Sequence, residues 1–268
     1  MTMQIQGINV YNKKYNNFYG QKNFSPVFTS SSRDYYDKSL IKTTRTWGNV
    51  ATTTWMFRQD LDWENFTEFI NKNFAGKNKV NTYSLACSDG SEAYTFLISI
   101  LEKLPEETIT KFSPIIATDR DFEIIKAARS GKINLAADDI ARINIISGFK
   151  EYFVNKSNPM HIKNNNFSLQ CHSYEPIKEL RDKVIFKQLD LLSHLRQIKD
   201  EGNSIVFCRN VTPYLPQNDI FRLANTASEI LKKGSLIVFG EFDKHSGILD
   251  FIDIKGFEEC MEYVFRKL

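Results

Sequence analysis

The amino-acid sequence predicts an α/β fold built on a mostly parallel, doubly wound sheet. Short apolar runs alternate with segments whose apolar residues recur at helical spacing, which is typical of a parallel sheet covered by helices on both faces. Small or polar residues follow most of the apolar runs, as expected where loops leave the carboxyl ends of parallel strands. With 268 residues, the chain is long enough for one such domain and an accessory segment.

The first helix and the first strand are predicted between residues 62 and 91. Asp62 is the expected N-cap and Gly76 the expected stop of a helix whose apolar face consists of Trp63, Phe66, Phe69 and Ile70. Residues 80–86 form a β-prone run, so we expect a strand there. Small and polar residues at 87–91 then lead into a second helix, whose apolar residues are Tyr94, Leu97, Ile98 and Leu101.

Further strands are predicted at 114–118, 184–186, 204–208 and 235–239. The first of these ends at Asp119 and is followed by a helix from about Phe122 to Arg129 that stops at Gly131. Another helix, from about Gln217 to Lys232, separates the last two strands. The chain therefore alternates strand and helix over most of its length.

Two regions depart from this alternation. Residues 1–50 show no sustained period, and within residues 1–45 seven Lys and Arg face two Asp, a local excess of +5. We expect a variable, partly disordered basic leader there, which is either a solvated tail or a contact for an acidic partner or nucleic acid. The remaining residues, 51–268, form one predicted domain, in which a small antiparallel insert is expected at about 150–183.

Several classes of protein are disfavoured by the sequence. No apolar run approaches the roughly 20 residues needed to cross a bilayer, and the first 20 residues lack the apolar segment of a signal peptide. The four cysteines are far apart and the four histidines lack metal-ligand spacing. We therefore expect no metal site, no disulfide framework, reduced thiols in a cytoplasm, and histidines at the surface or in the insert.

Candidate binding residues lie just past the predicted strands, where open α/β sheets bind ligands. Residues 86–91 are small enough for a ligand to approach the backbone, but they lack both G-x-G-x-x-G and the P-loop pattern. Asp119 is suited to accept hydrogen bonds from two ribose hydroxyls, and Asp190 to bind an exocyclic amino group of adenine. The structural alternatives are a helix cap for Asp119, a first-turn carboxylate for Glu92 and a loop residue for Asp190.

Four segments occur in an ordered set: TTTWMFR at 52–58, ACSDGSEAYT at 86–95, ATDRD at 117–121 with AARSG at 127–131, and FCRNVTPYL at 207–215. They resemble T-N-x-T-x-F-F-R, G-C-S-T-G-E-E-P-Y-S, A-T-D-I-D with K-A-R-x-G, and F-C-R-N-V-x-I-Y-F. These patterns characterise the chemotaxis-receptor (CheR-type) glutamate O-methyltransferases. The resemblance covers about residues 50–245, and about 50 residues precede it, which implies a divergent or shortened N-terminal region.

The resemblance implies a class I S-adenosylmethionine methyltransferase fold, Rossmann-like, with a small inserted β-subdomain. It implies S-adenosylmethionine as cofactor, S-adenosylhomocysteine as product, and a glutamate on a receptor's cytoplasmic helical bundle as acceptor. The implied cofactor contacts are Thr52, Thr54, Arg58, Ala86, Glu92, Asp119, Asp190, Leu191, Arg209 and Asn210. Arg58 and Tyr214 are the implied catalytic residues: Arg58 would pair with the acceptor carboxylate and Tyr214 would orient it.

The motif at 86–95 has Ala86, Asp89, Ser91 and Ala93 where the family pattern has Gly, Thr, Glu and Pro. A methyl group at position 86 can narrow the space for a cofactor, since glycine is used where a ligand approaches the backbone closely. An alternative function is therefore a catalytically degenerate methyltransferase-fold protein that serves in binding or interaction. A nucleic-acid methyltransferase guided by the basic leader is a third hypothesis, although the N/D-P-P-Y/F-type tetrapeptide is missing.

Overall fold

A computed structural model describes residue 54 and residues 56–136, 152–156, 160–164, 167–198 and 202–268. The predicted leader at 1–50 and the predicted cofactor contact Thr52 lie outside the described residues. Among the residues that the structure describes, no helix is both long enough and apolar enough to cross a membrane.

The larger sheet has seven strands within the described parts of the chain: β1 (Asn81–Leu85), β2 (Ile115–Asp119), β7 (Val184–Gln188), β8 (Ser204–Phe207), β9 (Leu236–Val238), β10 (Phe257–Met261) and β11 (Val264–Lys267). Their order is β10-β11-β9-β8-β1-β2-β7. The pairs among β7, β2, β1, β8 and β9 are parallel, whereas β11 runs antiparallel to both β9 and β10. The predicted mostly parallel α/β sheet is thereby confirmed.

Helices connect the strands and cover both faces of this sheet. The α-helices in the described residues are α1 (Trp63–Asn73), α2 (Ser91–Lys103), α3 (Ile109–Phe112), α4 (Phe122–Ser130), α5 (Lys178–Arg181), α6 (Leu191–Gln197), α7 (Gln217–Ile230) and α8 (Ile248–Ile254). The same described residues also contain three 3₁₀ turns, at Glu106–Thr108, Thr212–Tyr214 and Glu241–Ser246.

Strand β8 shows how the sheet separates two hydrophobic cores. Ile205 and Phe207 pack into the core that contains α1 and α2, while Val206 and the following Cys208 pack into the core that contains α6, α7 and α8. Successive side chains of a strand point to opposite faces, so a strand buried on both faces is largely apolar. All four residues of β8 are buried accordingly.

A second, smaller sheet lies between β2 and β7 in the chain. It is formed by β3 (Ile133–Ala136), β4 (Phe153–Asn155), β5 (Met160–Asn164) and β6 (Phe167–Pro176), and β6 pairs antiparallel with the other three. This sheet is the inserted β-subdomain that the sequence predicts. Its first strand, β3, begins upstream of the predicted start at about residue 150.

Helix ends follow the local sequence signals closely. Asp62 caps α1, since its side chain accepts from Asn65 N, and Gly131 ends α4 at a φ of 72°. Helix α1 stops at Asn73 with Phe74 as C-cap, so the predicted stop at Gly76 is wrong by two residues. Helix α7 likewise ends at Ile230 and not at Lys232. Helix ends are the least determined part of a helical pattern, because the last turn frays.

Candidate functional site

The loops that leave the carboxyl ends of β1, β2, β7, β8 and β9 carry the predicted site residues. Parallel strands end at the same edge of a sheet, so residues far apart in sequence meet there. The register of the pairs brings Leu85 next to Thr118 and Ser84 next to Phe207. The loops after β1, β2 and β8 are therefore direct neighbours.

The loop after β1 is tightly folded. Ala86 and Ser88 have φ values of 54° and 51°, in the left-handed region that costs an L-residue energy. Gly90 has a φ of 89°, and a Cβ there would lie 2.6 Å from Cζ of Phe186. Glycine is thus required at position 90, whereas at position 86 the chain tolerates alanine in a strained conformation.

Asp119 ends β2 with its side chain 4% exposed. Its Oδ2 accepts from Ser88 N at 3.1 Å and its Oδ1 from Asp121 N at 3.0 Å, while burial raises the pKa of its carboxyl. The N-cap of the following helix is Asp121 and not Asp119. Each oxygen of Asp119 thus keeps a lone pair, so the carboxylate can still accept hydrogen bonds from a ligand.

Glu92 lies in the first turn of α2 and points back toward the sheet. Its Oε1 accepts a 2.7 Å hydrogen bond from Ser84 Oγ, and its Oε2 lies 3.4 Å from Nη1 of Arg209. Burial raises the pKa of Glu92, and the Arg209 guanidinium opposes that effect. Glu92 is therefore a buried carboxylate tied to both β1 and the loop after β8.

Asp60 is the centre of the site, and the sequence motifs do not identify it. Its carboxylate pairs with Nη2 of Arg209 and accepts from Nδ2 of Asn210 at 2.7 Å and from the backbone N of Glu241 at 3.1 Å. Nε of Arg58 is 3.8 Å from Oδ2 of Asp60. Asp60 thus connects the segment before α1 to the loops after β8 and β9. Its position two residues after Arg58 was the available signal.

The backbone of Arg58 is fixed by its neighbours. Phe57 N donates to Thr95 Oγ1 at 3.0 Å, and Nε1 of Trp63 donates to the carbonyl of Arg58 at 3.1 Å. The Arg58 guanidinium lies over the ring of Phe242, 5.3 Å from its centroid. Burial lowers the pKa of Arg58, and Asp60 opposes that effect. Thr54, at the start of this segment, is half-buried.

Asp243 determines the shape of the loop after β8. Its two oxygens accept from the backbone N atoms of Asn210, Val211, Thr212 and Gly240 and from the hydroxyl of Thr212, at 2.6 to 3.1 Å. Asn210 adopts a φ of 58° in this arrangement. The sequence motifs do not identify Asp243. Gly240 and Glu241 directly follow the strand predicted at 235–239, and Asp243 lies two residues beyond Glu241.

Tyr214 lies in the 3₁₀ turn at the end of the same loop. Burial raises the pKa of its hydroxyl to about 12, and the nearby Arg58 guanidinium opposes that effect. The two predicted catalytic residues are therefore close enough to interact electrostatically, although they are more than 150 positions apart. The Tyr214 hydroxyl stays protonated at neutral pH and remains a hydrogen-bond donor.

Asp190 and Leu191 lie past the edge strand β7. Asp190 is exposed and caps α6 by accepting from Ser193 N at 3.0 Å, and Leu191 is half-buried. Although partial burial opposes it, the hydrogen bonds from Ser193 lower the pKa of Asp190. The residue before Asp190 connects it to the rest of the site, because Leu189 N donates to the carbonyl of Asp119 at 2.9 Å.

His194 contradicts the expectation of histidines at the surface or in the insert. It is 4% exposed on α6, with Nδ1 2.6 Å from Oγ1 of Thr118, and burial lowers its pKa to about 4. The sequence has no local marker for this burial, which results from packing α6 against β1 and β2. Among the described residues, no group of three or more His, Cys, Asp or Glu side chains is arranged to hold a metal ion.

The carboxylates of the site surround the loop after β1. Burial and then Asp119, Glu92 and Asp89 raise the pKa of the Cys87 thiol, which places all three carboxyl groups within electrostatic reach of one buried atom. Burial also raises the pKa of Asp89, to about 6. The loop is therefore lined by carboxyl groups, whose oxygens are suited to accept hydrogen bonds from a ligand.

Comparison with known proteins gives a family for this chain. The family model described as CheR methyltransferase, SAM binding domain, matches residues 52–253. A chemotaxis protein methyltransferase of Borreliella burgdorferi is 25% identical over 190 residues, covering 71% of this chain and 59% of that protein. Chemotaxis protein methyltransferase 2 of Vibrio cholerae is 24% identical over 218 residues, covering 80% of this chain and 69% of that protein.

Solved structures include an N-methyltransferase from Bradyrhizobium japonicum in complex with S-adenosylhomocysteine, 11% identical, covering 87% of this chain and 98% of that chain with a TM-score of 0.40. The family match extends over more than half of the chain, from the segment of Arg58 to helix α8. It agrees with the mostly parallel seven-stranded sheet, which is that of a class I S-adenosylmethionine methyltransferase. This chain therefore belongs to the CheR methyltransferase family, through its S-adenosylmethionine-binding domain.

Proposed function

We propose that this protein is an S-adenosylmethionine-dependent O-methyltransferase that transfers a methyl group to a glutamate side chain of a protein, of the chemoreceptor type. One observation carries the proposal: in a chain of this family, Arg58 and Arg209 both lie against Asp60, and Arg209 also contacts Glu92, in one largely buried cluster at the carboxyl edge of the sheet. Because the chain spans only 59% of the Borreliella relative, the acceptor is inferred from chemistry and from the relatives' names.

The residues of the site fit S-adenosylmethionine. Asp119 has unused lone pairs for the ribose hydroxyls, and Glu92 is a buried carboxylate suited to an ammonium group. Nε of Arg209 is buried and has no hydrogen-bond partner among the described residues, so it is available to an acceptor such as the ligand's carboxylate. Asp190 and Leu191 would contact the adenine, and Ala86, Thr52, Thr54 and Asn210 would complete the contacts.

The acceptor side needs a carboxylate-binding group and little acid–base chemistry. A glutamate side chain is ionised at neutral pH, so no base has to remove a proton from it. When bound, S-adenosylmethionine would supply an electrophilic methyl group for transfer to the carboxylate oxygen, with the electron pair of the carbon–sulfur bond left on sulfur. Arg58 would hold the acceptor carboxylate by a charge-assisted pair, and the protonated Tyr214 would donate a hydrogen bond to it.

The partner implied by this proposal is a protein with acidic side chains on an accessible helical surface, as in the cytoplasmic bundle of a receptor. Such an acceptor would place the reaction in the cytoplasm. The proposal needs neither a metal ion nor nucleic acid, because a carboxylate attacks a sulfonium methyl group without either.

The test combines ligand binding with methyl transfer. S-adenosylmethionine with a labelled methyl group is incubated with the protein and with receptor cytoplasmic fragments, and the labelled product is treated with alkali. We expect label in the fragment that alkali releases, since carboxyl methyl esters hydrolyse readily. Asp119→Ala should weaken binding of the cofactor, Arg58→Ala should reduce transfer, and Glu229→Gln, an exposed change on α7, should do neither.

Three results would count against the proposal. Cofactor binding on the order of −8 kcal/mol without transfer to any acceptor would favour a degenerate member of the family that serves as a binding protein. Alkali-stable label would point to an acceptor other than a carboxylate. Absence of binding to both S-adenosylmethionine and S-adenosylhomocysteine would remove the enzyme hypothesis altogether.

A further inference from the structure

The ion pairs around Asp60 form a buried cluster with balanced charge. Its members are two guanidinium groups, of Arg58 and Arg209, and two carboxylates, of Asp60 and Glu92. The side chains of Arg209 and Asp60 are 2% and 6% exposed, and those of Arg58 and Glu92 are 11% and 13% exposed. At such burial the charges are poorly screened, so removal of one charge changes the potential across the whole cluster.

Asp60 is firmly held in its ionised form. Burial opposes ionisation, but the guanidinium groups of Arg209 and Arg58 and the hydrogen bonds from Asn210 and Glu241 together lower the pKa of Asp60. Arg209 also lies over the ring of Trp63, 5.0 Å from its centroid, so its guanidinium cannot move away from Asp60 without losing that contact. The negative charge of Asp60 is therefore a fixed feature of the site.

We propose that Asp60 is a specificity-determining residue, whose fixed charge favours the sulfonium form of the cofactor over its thioether product. This inference rests on the proposed function, because it assumes that S-adenosylmethionine binds beside Arg58 and Arg209. The two ligands share the adenosine, carboxylate and ammonium groups and differ by the methyl group and one positive charge on sulfur. A negative charge near the sulfur would strengthen the binding of S-adenosylmethionine and leave the binding of S-adenosylhomocysteine unchanged. Inhibition by the product would then be weaker.

Geometry makes Asp60 suited to this role. Its carboxylate contacts Arg209, Asn210 and the Glu241 backbone, and lies 3.8 Å from Arg58, so it occupies the centre of the residues proposed for the methionine end and the reacting face. The two carboxylates share the Arg209 guanidinium: Asp60 pairs with Nη2, and Oε2 of Glu92 lies 3.4 Å from Nη1. Loss of the Asp60 charge would leave two guanidinium groups opposed by Glu92 alone.

The experiment measures a ratio of affinities and so does not require turnover. Calorimetric titration of S-adenosylmethionine and S-adenosylhomocysteine is carried out on the wild-type protein, Asp60→Asn and Asp62→Asn. Asp60→Asn should lower the preference for S-adenosylmethionine by at least about 10-fold, which is what one charge contributes at about 12 Å for an effective dielectric constant of about 20, and a nearer charge contributes more. Asp62→Asn is the matched control, because Asp62 is an exposed N-cap whose role asparagine can take.

Each outcome has a defined meaning. If Asp60 had only a structural role, its replacement would weaken the binding of both ligands by the same factor. An unchanged ratio of the two affinities in Asp60→Asn therefore overturns the inference and leaves the proposed function standing. If the wild-type protein binds neither ligand, the proposed function fails and this inference fails with it. If Asp60→Asn does not fold, as judged by circular dichroism, Arg58→Gln makes the opposite change of charge and should raise the preference for S-adenosylmethionine; no increase would overturn the inference.

Discussion

The carboxylate of Asp243 accepts a 2.6 Å hydrogen bond from the backbone N of Asn210, which holds Asn210 at a φ of 58°. In this conformation the Asn210 amide reaches Asp60, to which it donates at 2.7 Å, while its own Oδ1 accepts from Phe242 N at 3.0 Å. The loop after β8 is thus held between two aspartates from different parts of the chain.

Replacing Asp243 by asparagine should destabilise the protein by about 2–3 kcal/mol, because the amide NH₂ group of asparagine would point at buried N–H donors and leave them without an acceptor. The reason is that both oxygens of Asp243 already accept hydrogen bonds, so an amide group at either position opposes N–H groups. Urea denaturation followed by circular dichroism measures the change. Asp253→Asn, an exposed change on α8, should stay within about 0.5 kcal/mol of the wild type. Equal stability of the two variants would contradict this account of Asp243.

Gly240→Ala should destabilise the protein by about 2 kcal/mol, the usual cost of overpacking, and should also weaken cofactor binding. A Cβ at position 240 would lie 2.2 Å from Nδ2 of Asn210, so the amide must leave Asp60. Gly76→Ala is the matched control, because nothing lies within 4 Å of a Cβ there. Thermal denaturation and calorimetry give both effects. The argument is wrong if Gly240→Ala binds S-adenosylhomocysteine as tightly as Gly76→Ala does.

Ala86→Gly should stabilise the protein by up to about 1 kcal/mol. A residue with a Cβ costs roughly 1–2 kcal/mol in the left-handed conformation, and glycine removes this cost. Part of the gain in stability is lost because glycine increases the conformational entropy of the unfolded chain. The observed φ of 54° is the basis for this sign. Ala127→Gly, within α4, should lower stability by about 1 kcal/mol instead. Denaturant titrations of the two variants should therefore move in opposite directions. A loss of stability in Ala86→Gly would show that the loop is not strained.

His194 should make the protein less stable in mild acid. Its pKa in the folded state is lowered to about 4 from an ordinary value of 6.5, so the unfolded chain binds the proton more readily between these values. The stabilisation by neutral His194 is therefore complete above pH ~6.5 and is lost as pH falls toward ~4, by about 2 kcal/mol between pH 7 and pH 5. Urea denaturation at both pH values measures this loss.

The control for this effect is a second histidine. His194→Gln should remove most of the difference between pH 7 and pH 5, and His245→Gln, at an exposed position, should leave it in place. We also expect His194→Gln to be less stable at pH 7, because the 2.6 Å contact with Thr118 is buried. A pH dependence that survives in His194→Gln would assign it to other groups.

The sequence by itself determined what depends on local pattern. Alternating apolar runs predicted the mostly parallel sheet, and Asp62 and Gly131 marked helix ends, because periodicity and capping act within a few residues. The ordered motifs around Arg58, Glu92, Asp119 and Arg209 identified the family, since each motif keeps its residue types together within a few positions. The contacts that these residues make with a cofactor and an acceptor stay predictions until a ligand is bound.

Only the tertiary structure decided which distant residues complete the site. Asp60 meets Arg209 and Glu241 at separations of 149 and 181 residues, and Asp243 folds the loop of Asn210 from 33 positions away. The burial of His194 and the close approach of the Asn210 side chain to Gly240 likewise arise where separate elements pack together. Such contacts depend on the order of strands in the sheet, which brings β1, β8 and β9 side by side, and local sequence does not encode that order.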